Sequence, residues 1–258
     1  MSVIRSRDNA RVKRWAKLVR DGEFRKAQGR MLLEGPHLLA SALERGLIPA
    51  SIIATERGLA DLEIAALVAS ANCAPIILEG NIFKAMVDAE TPQGVAAEFD
   101  IPALPDSDRG ATIFLESIQD AGNVGTIVRS AAAFGAGSVV LDRACADPWS
   151  PKALRAGMGG HFGVSIRQVP DLQTELDRFE GRLLCTVVRG GLNLRVVDLS
   201  GKIGWLFGSE GRGVSPRLRD RAEAQVTIEA SPAAESLNVA AAAAICLYES
   251  FSRPGAGS

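Results

Sequence analysis

Three short stretches of this chain carry residue types that could hold and react a small polar ligand. Asn123-Val-Gly-Thr-Ile-Val-Arg129 sets an amide and a guanidinium six positions apart where a strand turns into a helix. Gly208-Ser-Glu-Gly211 places a carboxylate between two glycines, directly after the apolar run Trp205-Leu206-Phe207. A lone charge is unusual in a purely structural turn, so Glu210 reads as held at a strand-end pocket. Ser236-Leu237-Asn238 opens an alanine-rich run with side chains of the kind that cap helices. Glycines at 208, 211 and 213 let main chain approach a ligand, because no Cβ intervenes. The spacing fits neither a dinucleotide fingerprint nor a phosphate-cradling loop, since no G-x-G-x-x-G joins a strand to a helix and no Gly-Lys-Ser/Thr follows the glycines. The pattern implies a pocket built largely of backbone N–H and C=O groups.

The elements that must position these groups alternate. Residues 111–117 form an apolar strand, the loop IQDAGNVG leads to a helix over 126–134, and a strand follows at 138–141. A short helix within 150–164, strands at 164–169 and 182–188 with a helix at 172–179 between them, and a strand at 226–228 complete the pattern. After that last strand Ser231-Pro232 turns the chain. Such an order predicts a mainly parallel sheet with its ligand at the carboxyl ends of the strands. Upstream, strands at 31–35, 50–55, 74–78 and 94–99 alternate with helices at 36–45, 59–71 and 82–87, a small α/β layer domain. The stretch DIPALPDSDRG has nothing apolar enough to anchor a core, which puts the boundary near residue 105: domains at 1–105 and 106–258.

A chain of 258 residues, 47% hydrophobic but only 5% aromatic, suits globular α/β domains. The net charge of −1 conceals a local +7 in residues 1–30, where ten Lys/Arg face three acids. Val12, Trp15, Leu18 and Val19 fall on one helical face there. The opposite cationic face reads either as a footprint for a polyanion or as ordinary solvated surface. Cys73, Cys145, Cys185 and Cys246 lack metal-ligand spacing and read as buried, reduced side chains. The longest uncharged run of the final helix is 13 residues, too short to cross a bilayer. Cytoplasmic location, with no membrane and no metal, is the expectation. His37 and His161 read as structural, and Phe162 and Trp149 as core or loop anchors.

In this order and at these separations, QDAGNVGTIVRSAAAFG, FGSEGRGVS and AESLNVAAAAAI resemble the signature of the SpoU family of knotted ribose methyltransferases. SPKALRAGMGG looks like a further family element, and the resemblance covers about residues 111–251. NARVKRWAKL, RMLLEGPHLLASAL and TPQGVAAEF are similar to the small α/β/α RNA-binding domain often fused to that family. The resemblance implies methyl transfer from S-adenosylmethionine to a ribose 2′-hydroxyl of RNA, ribosomal RNA being favoured and transfer RNA the alternative. It also implies a deep trefoil knot in the parallel-sheet domain and a homodimer with active sites across the subunit boundary. A catalytically silent RNA-binding homologue and a base-methylating knotted enzyme are the competing readings.

Carried over by position, Arg129, Asn123, Glu210, Ser236 and Asn238 would form the reacting site, and Gly208, Ser209, Gly213, Ile228 and Leu237 would hold the cofactor. Arg11, Lys13, Arg14 and Lys17 would meet RNA, with Lys152 and Arg155 as possible further phosphate contacts. Arg129 as a literal base is costly: deprotonating a guanidinium at pH 7 takes roughly 9 kcal/mol. A phosphate clamp suits it better, with Glu210 and Asn238 orienting it or the ribose. Glu229-Ala230 stands where the family usually has Pro-Met, Ala233-Ala234 where a glycine is common, and Gly157 where serine is usual. These departures bear on the shape of the adenine pocket.

Overall fold

A computed structural model describes residues 3–107, 110–231 and 233–253. Pro232, expected to turn the chain after Ser231, lies outside these residues, as do Asp108 and Arg109 of the interdomain stretch. The chain forms two compact units, Met1–Pro102 with Trp149–Phe162, and Ala103–Pro148 with Gly163–Ser258.

In the first unit the basic segment forms α1 (Ala10–Arg20) and α2 (Gly22–Gln28), capped by the side chains of Asn9 and Asp21. Val12, Trp15, Leu18 and Val19 are buried as their spacing requires. Next come β1 (Arg30–Glu34), α3 (Pro36–Glu44) and β2 (Ser51–Ala54). The single helix expected over 59–71 is instead α4 (Glu56–Leu59) and α5 (Leu62–Ser70). Asp61 divides them because its carboxylate accepts from the backbone N–H of Glu63 and Ile64, starting a new helix. β3 (Pro75–Ile77), α6 (Gly80–Met86) and β4 (Val95–Asp100) follow. The sheet order is β1-β4-β2-β3, with β2 and β3 parallel and β4 antiparallel to its neighbours.

The second unit opens on β5 (Thr112–Glu116) and α7 (Ala121–Ala133). This helix starts five residues before the expected position. Asp120 caps it by accepting from Asn123 N–H, and Gly125 is buried within it, so packing outweighs the weak helix propensity of glycine. Asn123 therefore stands in the first helical turn, not in a loop. β6 (Ser138–Asp142) leads to α8 (Pro151–Gly157) and a 3₁₀ turn at Gly160–Phe162. This excursion belongs to the first unit, although its sequence neighbours lie in the second; there Arg155 pairs with Asp88 at 2.5 Å.

The second unit resumes with β7 (Ser165–Val169), α9 (Leu172–Arg178) and β8 (Arg182–Thr186). β9 (Leu192–Asn193), β10 (Ile203–Gly208), α10 (Pro216–Arg219), β11 (Ala224–Thr227) and α11 (Val239–Ser252) complete it. The two-residue β9 and one-turn α10 are too short to show a hydrophobic period in the sequence. All described pairings in the sheet β7-β6-β5-β10-β8-β11-β9 are parallel. The parallel-sheet α/β architecture expected for this half is thus present. Its centre is mainly apolar: Trp205 and Phe207 on β10 are buried completely, and Trp205 Nε1 donates to Ser250 Oγ of α11 at 2.8 Å. In the interdomain stretch Asp106 accepts from Ser165 Oγ at 2.7 Å and pairs with Arg167.

Candidate active site

The loops that leave β8, β10 and β11 at their carboxyl ends enclose a cavity of about 940 Å³. Gly208, Ser209, Glu210, Gly213, Ile228, Ser236 and Leu237 all line it. The loop after β10 turns back on itself: Gly213 N–H donates to Ser209 C=O at 2.7 Å, with Gly213 at φ +65°. A side chain at Gly208 would run into the Gly213 carbonyl and Val214 nitrogen, so this position requires glycine. Ile228 packs against the main core, giving the cavity an apolar wall next to polar main chain. Residues 186–190 also line it, a contribution the sequence reading did not assign. The glycine pair 190–191 directly after a strand was the available signal.

Beside the cavity, three candidate residues meet. Asn123 Nδ2 donates to Glu210 Oε1, and Asn238 Nδ2 lies 3.3 Å from the same oxygen and 3.1 Å from Asn123 Oδ1. Asn238 also caps α11, its Oδ1 accepting from Ala240 and Ala241 N–H. One amide thus anchors both the helix start and the polar cluster. Glu210 Oε2 has no hydrogen-bond partner among the described residues. Arg129 is not in the cluster. It is exposed and has no hydrogen bond or ion pair among the described residues. Six residues past Asn123, at about 100° per residue, it projects from another side of α7. Ser236 is exposed at the cavity wall.

Glu229, the first residue of the Glu229-Ala230 departure, accepts from Asn193 Nδ2 at 3.1 Å. The departure is therefore tied to β9, and both partners belong to the second unit.

The candidate RNA contacts belong to the first unit. The Arg11 side chain is exposed without a partner among the described residues, Lys13 pairs with the exposed Asp8 at 2.7 Å, and Lys17 lies over the Phe24 ring. Arg14 differs, because it is bound to the buried Glu98 at 2.7 Å, which also accepts from Trp15 Nε1. Burial pushes the Glu98 carboxyl up, but the bonds and charges of Arg14, Trp15 and Arg30 prevail and hold it below its ordinary value. Arg155 is likewise bound within its unit, while Lys152 is exposed. Arg7, Lys13, Lys17 and Arg20 line a shallow groove of about 460 Å³ along α1 and α6.

Cys145, Cys185 and Cys246 are buried, and burial raises all three thiols, Cys185 to about 12. None is poised to act as a thiolate nucleophile at neutral pH. His161 is buried against Trp149, whose ring centre is 5.3 Å away, and Phe162 is buried.

The model of the SpoU rRNA methylase family matches residues 110–248, and that of the MRM3-like substrate binding domain matches residues 9–97. The chain belongs to the SpoU rRNA methylase family. It is 32% identical over 252 residues to the 23S rRNA (guanosine(2553)-2′-O)-methyltransferase RlmP of Bacillus subtilis, covering 96% of this chain and 98% of that one. Among solved structures it resembles the SpoU methyltransferase AviRb of Streptomyces viridochromogenes in complex with AdoMet, with TM-score 0.85 and 25% identity, covering 93% and 96% of the two chains. An AdoMet-bound rRNA methyltransferase from Sinorhizobium meliloti gives TM-score 0.81 at 25% identity, covering 96% of each.

The residues present fit such a cofactor. A cavity of about 940 Å³ is within the size range of small-molecule sites, about 300–1,000 Å³. The glycine-dependent loop after β10 offers main-chain groups, Ile228 and Leu237 offer apolar surface, and Glu210 offers a carboxylate complementary to a sulfonium.

Proposed function

We propose that this protein transfers a methyl group from S-adenosylmethionine to a ribose 2′-hydroxyl of ribosomal RNA. The observation that carries this reading is the Asn123–Glu210–Asn238 cluster beside the cavity, in a chain of this family. Gly208, Ser209, Gly213, Ile228 and Leu237 hold the cofactor, which supplies an electrophilic methyl group. The chain contributes positioning and removal of a proton. Asn123 and Asn238 fix one oxygen of Glu210, leaving Oε2 to accept the hydrogen bond of the attacking hydroxyl. Arg129, charged and unpartnered, clamps a neighbouring phosphate and lowers the hydroxyl pKa by its field. Ser236 at the cavity wall adds a hydroxyl to the acceptor side.

Its projection away from the cluster supports a homodimer in which Arg129 serves the neighbouring subunit's site. Ile245, Tyr248 and Phe251 of α11, all large and exposed, support the same arrangement. Placement of β11 between β8 and β9 supports the trefoil knot of the family. The first unit, with its basic α1, binds the RNA through Arg11, Lys13 and Lys17, with Lys152 adding a phosphate contact; Arg14 and Arg155 serve mainly to hold their own unit together. No described helix is long and apolar enough to cross a membrane, and we place the protein in the cytoplasm with its RNA.

Ribose-methylation mapping of total rRNA from cells with and without the gene tests the reading. One methylated nucleotide should vanish on deletion and return when the gene is restored. An unchanged rRNA map would reject the assignment.

A further inference from the structure

On another side of the loop that follows β10 lies a second cavity, of about 700 Å³. Residues 209–213 line both cavities, so Glu210 borders the cofactor space and this one at once. The remaining wall comes from the carboxyl end of β5, residues 116–120, from Ala144, and from Ser215 and Pro216. Its charged lining consists of three carboxylates, Glu116, Asp120 and Glu210, and one guanidinium, Arg212. That balance disfavours phosphate and favours a group with N–H donors.

Two features indicate that the space is constructed. Ser117 sits in the left-handed region at φ +57°, rare for a residue with a side chain. It is held there by Asp142, whose carboxylate accepts from its backbone N–H at 3.1 Å and its Oγ at 3.3 Å. Ser215 N–H donates to Glu116 Oε2 at 2.6 Å, which fixes that carboxylate on the wall and leaves its Oε1 with no hydrogen-bond partner among the described residues.

We propose that this second cavity receives the base of the nucleotide whose ribose is methylated, and that Glu116 and Gln119 read its hydrogen-bonding edge. The inference rests on the methyltransferase reading above and adds a base-recognition site to it. A base drawn out of its stack needs a pocket next to the reacting sugar, as enzymes acting on nucleotides within structured RNA provide. Sharing Glu210 between the two spaces puts the base on one side of that carboxylate and the methyl donor on the other. The acceptor-rich wall suits a base with an amino group, and guanine, with N1–H and N2–H on one edge, suits it best.

The test uses full-length protein, labelled S-adenosylmethionine and the rRNA transcript containing the mapped nucleotide, made with each of the four bases at that position. Wild-type protein should favour one amino-bearing base by at least about tenfold in kcat/KM, the discrimination expected of one or two hydrogen bonds. Gln119→Ala, at an exposed position without side-chain bonds, and Glu116→Gln should each flatten that preference while leaving cofactor affinity within about twofold of wild type. Equal rates on all four bases, a preference for uridine, or variants that slow all four substrates by one common factor would each overturn the base site while leaving the methyltransferase reading standing. Absence of any transfer by wild-type protein would overturn both.

Discussion

Asn238 lets helix capping be separated from chemistry. Its Oδ1 accepts from Ala240 and Ala241 at the start of α11, and its Nδ2 faces Glu210 Oε1 and Asn123 Oδ1. Asn238→Ala removes both functions. Loss of the cap costs about 1 kcal/mol, a fall in Tm of roughly 2–4 °C for a unit of this size. Loss of a hydrogen bond to a carboxylate costs about 1.5–3 kcal/mol, equivalent to about 10- to 100-fold in kcat/KM if it matters in the transition state. Asn238→Asp keeps a capping oxygen, and its charge suits a helix N-terminus. It loses the donor, however, and puts a second carboxylate 3.3 Å from Glu210 Oε1, at the present Nδ2 position. Single-turnover methyl transfer and thermal unfolding, measured on both variants, should split: Asn238→Asp close to wild type in Tm and at least tenfold slower, Asn238→Ala impaired in both. An Asn238→Asp protein that methylates within twofold of wild type would refute the role of the cluster.

Gly208→Ala should abolish cofactor binding in calorimetry, since its Cβ meets the Gly213 and Val214 backbone; tight binding would show that the loop can move without loss. Because the folded Glu98 carboxyl lies below its unfolded value, its contribution to stability is present above the unfolded pKa and lost as pH falls through the folded one. Glu98→Gln should therefore lower the denaturant midpoint at neutral pH by the equivalent of about 3 kcal/mol, with the gap narrowing as the solution becomes acidic; a pH-independent gap would contradict this. Reversing the charges of Arg7, Arg11, Lys13 and Lys17 should weaken RNA binding and reduce the slope of log affinity against log salt by about 0.7–0.9 per lost phosphate contact. Arg14 is left out because its change would unseat Glu98. An unchanged filter-binding slope would take α1 out of the RNA interface.

Most of the architecture was legible because it rests on local signals. The apolar stripe of α1 and the unbroken hydrophobic runs of β5 and β10 each identify their own element. What escaped depends on distant partners. The first five residues of α7 include two glycines and read as a loop, and only the Asp120 cap and burial in the core make them helical. Arg14 looks like any cation of its helix until Glu98, eighty-four positions away, is placed beneath it. The meeting of Asn123, Glu210 and Asn238 could be inferred only from the family resemblance, because no periodicity links residues so far apart. Arg129 shows the reverse case, named with the others by sequence but separate from them within the chain.

The central claim is that ribose oxygen is the methyl acceptor. Ribosomal RNA from cells lacking the gene can be incubated with the purified protein and radiolabelled S-adenosylmethionine, then digested with alkali. A methylated 2′-oxygen blocks cleavage of the adjoining phosphodiester, so the label should appear in an alkali-resistant dinucleotide. Label recovered in mononucleotides would mean that a base is methylated, and unlabelled RNA would mean that the cavity serves another reaction.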